Sequence, residues 1–171
     1  MVIILHNGFW FWKGNTLTEE VANKSETEQV QSVSVQSPTF VVGDHIGMLS
    51  ISALEMKLPI FHGTSKNELK KGVGHYVKSA VPGENRHTVL AGHRDTLFRE
   101  LEDIHVGDEI LVETNRGDFL YTVLKTRIVD KDDRTVLVEK PSETLSLVTC
   151  YPFRYVGDAP ERFIVSARLV E

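Results

Sequence analysis

The sequence contains a single cysteine, Cys150, and its setting decides which chemistry the chain can perform. A lone cysteine excludes an internal disulfide, and it also excludes a zinc site built from several thiolates. Three interpretations remain: a buried core residue, a reactive nucleophile, or one half of an intermolecular disulfide. Free cysteine is among the most buried residue types, so the core interpretation is the default unless the surroundings argue otherwise.

The residues around Cys150 predict that it lies at the end of a β-strand. Residues 144–150 alternate in character, with Leu145 and Leu147 on one face, and Pro152 follows two positions after the cysteine. Proline cannot donate to a sheet ladder and therefore ends central strands. Reactive side chains are common where a rigid strand meets a loop, so this position favours the nucleophile.

His93 and Arg162 occupy two further predicted strand ends. Taken singly, they are an ordinary turn histidine and an exposed arginine. A thiol, however, needs a nearby base or cation to become a thiolate near neutral pH. A guanidinium can also stabilise a developing oxyanion with its permanent charge. The three residues therefore predict a cysteine-based catalytic site, provided that the last strand lies beside the strand of Cys150.

The elements that must position these residues are mostly short strands. Apolar and β-branched runs separated by turn residues occupy residues 40–42, 46–51, 57–61, 87–91, 109–114, 119–130, 135–138, 144–150 and 162–170. This spacing predicts an all-β sandwich or barrel. A capping-box spacing at Ser65 and Glu68 predicts a short helix that ends near Gly72, and a second short helix is predicted at 96–101. His62 and His75 are read as surface or loop residues.

The chain divides into three predicted parts. Residues 1–12 are apolar and aromatic but too few to span a bilayer, which takes about 20 apolar residues. Two interpretations stay open for them: the trimmed end of a membrane anchor, with Trp10 and Trp12 at the lipid boundary, or an artefact of the start site. Residues 13–38 are polar and predict a flexible linker, and residues 39–171 predict the catalytic domain.

Composition and charge narrow the classes of partner. The net charge is -5 and no long run of Lys or Arg occurs, so the sequence predicts no nucleic-acid binding. The seven histidines lack the spacing of a metal site. Asp130, Asp132 and Asp133 could in principle hold calcium, but a solvated turn is the preferred interpretation. We therefore expect neither a cofactor nor a metal requirement.

Several of these motifs resemble those of the sortase family. Leu147-Val148-Thr149-Cys150 is similar to the sortase cysteine signature, Ala91-Gly92-His93-Arg94-Asp95 to its histidine motif, and Glu161-Arg162-Phe163-Ile164-Val165 to its arginine motif. The early strands and the stretch 71–76 are also similar, so the resemblance covers residues 40–170. The variant Cys150-Tyr151-Pro152-Phe153 and the short domain look most like class D sortases of Gram-positive bacteria.

The resemblance implies a closed, eight-stranded β-barrel with a few short helices and a groove at one end. It implies that Cys150 cleaves an LPxT-type sorting signal after Thr and forms a thioacyl intermediate. His93 then protonates the leaving amine, Arg162 holds the substrate and the oxyanion, and Thr149 and Tyr151 bind substrate. An amine of peptidoglycan or its precursor resolves the intermediate. The resemblance also implies an enzyme anchored by its N-terminus at the extracellular face of the membrane.

Two alternatives to this function are a different cysteine hydrolase and a non-catalytic cell-surface β-domain with a buried Cys150. His93 precedes Cys150 by 57 positions (150 − 93), whereas papain-like enzymes have the cysteine first. The caspase signature Gln-Ala-Cys-x-Gly is absent from the sequence. Loop residues within 58–76 and 97–105 are expected to line the substrate pocket. The residue after Thr in the signal, Ala or Gly, stays open.

Overall fold

Eight strands close into a barrel in the computed structural model, which describes residues 39–170. The strands are β1 (His45–Ile51), β2 (Met56–His62), β3 (Val73–His75), β4 (His87–Ala91), β5 (Glu109–Thr114), β6 (Gly117–Asp130), β7 (Thr144–Tyr151) and β8 (Glu161–Leu169). The predicted all-β barrel of about eight strands is confirmed. The predicted apolar segment 1–12 and linker 13–38 lie outside the described residues and stay predictions.

Within residues 39–170, helical structure is limited to short pieces beside the barrel. One α-helix, α1 (Lys66–Lys71), joins β2 to β3, and three 3₁₀ turns occupy Ser52–Leu54, Arg99–Asp103 and Thr135–Leu137. Helix α1 starts with the predicted capping box, in which Ser65 and Glu68 bond each other's backbone. No helix in the described part of the chain has the length and apolar character that crossing a bilayer requires.

The order of the strands around the barrel is β1-β2-β3-β4-β7-β8-β6-β5, and β5 pairs with β1 to close it. Two neighbouring pairs, β2 with β3 and β4 with β7, run parallel, and the other pairs run antiparallel. The interior is filled by large side chains with no or almost no exposed surface: Leu49, Ile51, Ile60, Leu90, Phe98, Leu101, Ile110, Tyr121, Leu145 and Leu147. Such burial is the main favourable term that holds a domain of this size.

Most of the predicted strands are confirmed, and two predictions are wrong. Residues 40–42 are irregular and lead into a turn before β1, rather than forming a strand. Residues 135–138, although rich in β-branched residues, contain a 3₁₀ turn. The short strand β3 was not predicted, since three residues that follow Gly72 and include Gly74 carry no clear period. The predicted helix at 96–101 corresponds to the 3₁₀ turn Arg99–Asp103.

A buried carboxylate fixes the end of the barrel where β7 begins. Glu143 accepts hydrogen bonds from the backbone amides of Gly83 at 2.7 Å and Asn85 at 3.0 Å, and from the Tyr121 hydroxyl at 2.8 Å. Burial, together with the Glu143 carboxylate, raises the pKa of the Tyr121 hydroxyl, which therefore stays protonated. These bonds tie the loop that leads into β4 to the start of β7.

The reading of His62 and His75 as surface or loop residues is wrong. Both lie at paired positions of the parallel strands β2 and β3, and His75 is buried. The Ala80 carbonyl lies 2.9 Å from His75 Nε2 and can only accept, so Nε2 carries the proton. His75 Nδ1 then accepts from His62 Nδ1 at 3.0 Å. Gly72 and Gly74, which precede His75, suggested a loop, but hydrogen bonds to Ala80 and His62 hold this histidine inside.

Burial lowers the pKa of His75, and the nearby His62 lowers it further. The unfolded chain therefore binds protons at higher pH than the folded one, and stability falls as pH drops below the unfolded value of about 6.5. We expect the melting temperature to decrease between pH 7.5 and 5.5, and this decrease to be smaller in His75→Gln. His105→Gln, at an exposed position, is the matched control. An equally steep decrease in His75→Gln would contradict the assignment.

Candidate active site

Cys150 lies one residue before the end of β7, directly opposite Arg162 on the neighbouring antiparallel strand β8. Along β7, Leu147 and Thr149 face the interior, while Val148 and Cys150 face outward. Cys150 is half-buried, so its thiol is accessible from the outer surface of the barrel. The default interpretation of Cys150 as a buried core residue is therefore not what the structure describes.

His93 follows the end of β4, the other neighbour of β7. The parallel pairing places Ala91 of β4 beside Val148 of β7, so both strands end at the same edge of the barrel. The turn is tied to β7 by the Gly92 amide, which donates to the Val148 carbonyl at 3.1 Å. A side chain at Gly92 would come within 2.7 Å of the Phe98 ring, so glycine is required for this close packing.

Thr149 contributes the second tie between β7 and the turn that carries His93. Its hydroxyl donates to the Gly92 carbonyl at 2.7 Å, and its side chain is buried. The Tyr151 ring packs against Phe153 and Phe163 with ring centroids 5.9 and 6.4 Å apart. Neither residue lines the two cavities of the site. Their predicted role in substrate binding stays a prediction, and the geometry indicates that both support the strand that carries Cys150.

An open cavity of about 420 Å³ brings the three predicted catalytic residues together. Its lining consists of His93, Arg94, Asp95, Lys131, Cys150, Gly157, Asp158, Ala159 and Arg162. His93 is exposed to solvent, and Cys150 and Arg162 are half-buried. Sequence reasoning missed the other charged lining residues, because they belong to turns whose three-dimensional neighbours follow only from strand order.

The guanidinium of Arg162 is oriented by backbone carbonyls. Its Nη1 donates to the Glu161 carbonyl at 2.8 Å and to the Ala159 carbonyl at 3.1 Å. Within residues 39–170, no side chain or carbonyl accepts from its other nitrogens. Arg162 therefore combines a fixed position with unused donors beside Cys150, which is the arrangement that stabilises a developing oxyanion.

Arg94 ties the connection between β7 and β8 to the turn that carries His93. Its Nη2 donates to the carbonyls of Tyr155 at 2.8 Å and Gly157 at 2.9 Å, and its guanidinium lies 5.9 Å from the Tyr155 ring centre. The connection 152–160 has no strand or helix of its own. Arg94 therefore supplies much of the order in this wall of the cavity.

A second cavity of about 290 Å³ runs along the outer face of β4, β7 and β8. Its mostly apolar floor is made of Val89, Ala91, Val148 and Ile164, and its walls include Thr64, Tyr76, Val136 and Leu137. It shares Arg162 and Lys131 with the first cavity, so the two meet beside Cys150. Of the loops expected to line the pocket, 58–76 contributes Thr64 and Tyr76, whereas 97–105 contributes nothing to either cavity.

The acidic residues after β6 are used within the turn. Asp130 Oδ1 accepts from the Asp132 amide at 2.8 Å, and Asp133 Oδ1 accepts from the Thr135 amide at 2.6 Å. Hydrogen bonding from Thr135 lowers the pKa of Asp133. Within the part of the chain that the structure describes, no three His, Cys, Asp or Glu side chains are grouped as metal ligands.

Comparison with known proteins gives one consistent result. The family model of the sortase domain matches residues 49–170. Sortase D of Bacillus subtilis (strain 168) is 38% identical over an alignment of 186 positions that covers 99% of this chain and 93% of the relative. Sortase A of Bacillus anthracis is 24% identical over 155 positions, covering 88% of this chain and 72% of the relative.

Solved structures agree with this result. The Clostridium perfringens sortase D5 transpeptidase superposes with a TM-score of 0.71 at 29% identity, covering 78% of this chain and 83% of that one. The catalytic domain of Bacillus anthracis SrtD gives a TM-score of 0.67 at 39% identity, covering 82% and 97% of the two chains. With its barrel, its cysteine-containing cavity and these relatives, the chain belongs to the sortase family of transpeptidases, which anchor surface proteins to the cell wall.

Proposed function

We propose that the chain is a class D sortase whose nucleophile is Cys150. The observation that carries the catalytic assignment is the pairing of Cys150 with Arg162 across β7 and β8, with His93 lining the same cavity. The class assignment is supported by the identity to the Bacillus subtilis sortase D, 38% against 24% for the Bacillus anthracis sortase A.

In the first half of the proposed reaction, the Cys150 thiolate attacks the carbonyl carbon of Thr in an LPxT-type signal. The carbonyl oxygen takes up negative charge, and the unused donors of Arg162 stabilise it. The C–N bond then breaks, His93 gives a proton to the departing amine, and a thioester remains on Cys150. Dividing the exchange into two covalent steps lowers the barrier of each.

In the second half, an amine of peptidoglycan or its precursor attacks the thioester carbonyl. His93, now neutral, accepts the proton of that amine, the new amide bond forms, and the Cys150 thiolate departs. The charged cavity around Cys150 is open enough to admit this second substrate. The adjoining apolar cavity along Val89, Val148 and Ile164 suits the apolar residues of the sorting signal.

The N-terminal part completes the proposed arrangement in the cell. The apolar residues 1–12 are taken as part of a membrane anchor and residues 13–38 as the linker to the barrel. The catalytic domain would then stand at the extracellular face of the membrane, where both secreted signals and cell-wall precursors are accessible.

We expect removal of residues 1–38 to release the enzyme from membranes without changing peptide cleavage, as measured by vesicle flotation and peptide assay.

A thioester on Cys150 is the direct test of the nucleophile. Incubation with LPxTA and LPxTG peptides should give an adduct whose mass corresponds to the peptide up to Thr, and intact-protein mass spectrometry measures it. Cys150→Ala should give no adduct while its melting temperature stays near that of the wild type. In the native protein, a small methanethiosulfonate reagent should label Cys150. A thiol that reacts only after denaturation would contradict the nucleophile assignment.

Arg162 and His93 should each matter for rate rather than for folding. We expect Arg162→Ala to lower kcat/KM for peptide by about 10²–10³-fold, the loss typical of an oxyanion donor. His93→Ala should cost about 10²–10⁴-fold, as for a general acid–base group. Arg168→Ala, at an exposed position of the same strand, and His105→Ala are the matched controls. Near wild-type turnover in Arg162→Ala would refute its role.

A further inference from the structure

The connection between β6 and β7 forms one wall of the apolar cavity. Residues from the first part of this connection line it: Lys131, Asp133, Arg134, Val136 and Leu137. A ligand in the cavity therefore contacts a barrel face on one side and this wall on the other. The position of the wall sets the width of the cavity, so whatever fixes the wall also fixes the fit of the ligand.

The wall has little structure of its own. Its only regular element is the single 3₁₀ turn Thr135–Leu137, which has no side-chain cap. One such turn does not persist without tertiary contacts. The bonds before it are local, except that the Lys131 amide donates to the Pro160 carbonyl at 2.9 Å. The Val136 side chain is buried and holds the middle of the turn by apolar contact. The end of the turn is held by a polar attachment to the barrel.

That attachment is the Val138 carbonyl, which lies 3.0 Å from Nδ1 of His87 on β4. The Val138 side chain is 60% exposed, so the carbonyl rather than the side chain makes the contact. The next link along the chain is the exposed ion pair of Arg86 and Glu139 at 3.6 Å, and such pairs contribute little. The His87 bond is thus the main polar link between the end of the turn and the barrel.

The partners of His87 determine its protonation state. A carbonyl can only accept, so Nδ1 carries the proton and donates to Val138. Nε2 then accepts from the Ser146 hydroxyl of β7, 2.9 Å away. Burial, helped by Lys140, lowers the pKa of His87 and keeps this neutral form dominant near neutral pH. Both nitrogens of a 4%-exposed ring are therefore satisfied, and the ring is held in one orientation.

We propose that His87 is a positioning residue for the sorting signal: by bonding Val138, it holds the β6–β7 wall at the spacing that the signal requires. The proposal concerns the substrate of the reaction proposed above and rests on that function. His87 lines neither cavity, and it touches neither Cys150 nor the substrate site directly. Replacing His87 should thus change recognition of the sorting signal and leave the reactivity of the Cys150 thiol unchanged.

Three variants separate the effect of losing the bond between His87 and Val138 from other effects of replacing His87. His87→Phe keeps the size of the ring and removes both hydrogen bonds. His87→Asn replaces Nδ1 by an amide nitrogen near the same place, so it can still donate to Val138. Ser146→Ala is the matched control, because it removes the other partner of the ring and leaves the Val138 bond in place. Melting temperatures show whether each variant folds.

Hydrogen–deuterium exchange measures the wall directly and does not depend on activity. We expect amides of residues 135–138 to exchange about tenfold faster in His87→Phe, the change that corresponds to losing about 1.4 kcal/mol of local stability. His87→Asn should fall between His87→Phe and the wild type, and Ser146→Ala should resemble the wild type. Unchanged exchange of this segment in His87→Phe would overturn the proposal.

Peptide kinetics then test the consequence for the substrate. In His87→Phe, KM for the LPxT peptide should rise about tenfold, whereas kcat and the rate of Cys150 labelling should stay within about twofold. A fall in kcat or labelling with unchanged KM would instead overturn the positioning role. If the wild type cleaved no LPxT peptide, the proposed function would fail, and the exchange data would still decide whether His87 holds the wall.

Discussion

The site depends on the pairing of β7 with the parallel strand β4 on one side and the antiparallel strand β8 on the other. Parallel strands end at the same edge, so the turn after β4 and the end of β7 must meet there. An antiparallel strand begins where its partner ends, so the start of β8 arrives at that edge as well. The positions of His93, Cys150 and Arg162 thus follow from strand direction, before any side-chain contact is considered.

Outside this edge, individual polar contacts determine the shape of the site. Thr149 holds the turn that carries His93, Arg94 holds the connection from β7 to β8, and His87 holds the connection from β6 to β7. In each case a side-chain donor bonds a backbone carbonyl of an irregular segment. Such bonds order a loop at little entropic cost to the barrel, and they leave the loop's own side chains free to face a ligand.

The sequence predicted the features of this arrangement that have a local cause, and it did not predict those that depend on contacts between distant segments. The end of β7 at Cys150 was predictable, because alternation and Pro152 are both visible in the sequence. The burial of His75 and the 3₁₀ turn at 135–137 were not, because both depend on tertiary hydrogen bonds. In residues 135–138, the β-branched side chains favoured a strand. The end of the 3₁₀ turn is instead bonded to His87, 51 positions away.

The same distinction explains why the role proposed for His87 is harder to predict from the sequence than the role proposed for Cys150. A nucleophile must be exposed to its substrate, so its residue type and its place at a strand end already indicate chemistry. A residue that positions a wall is buried and fully hydrogen-bonded, and from the sequence it resembles any histidine in a strand. It becomes visible only when the carbonyl that it bonds is known to end the 3₁₀ turn of a cavity wall.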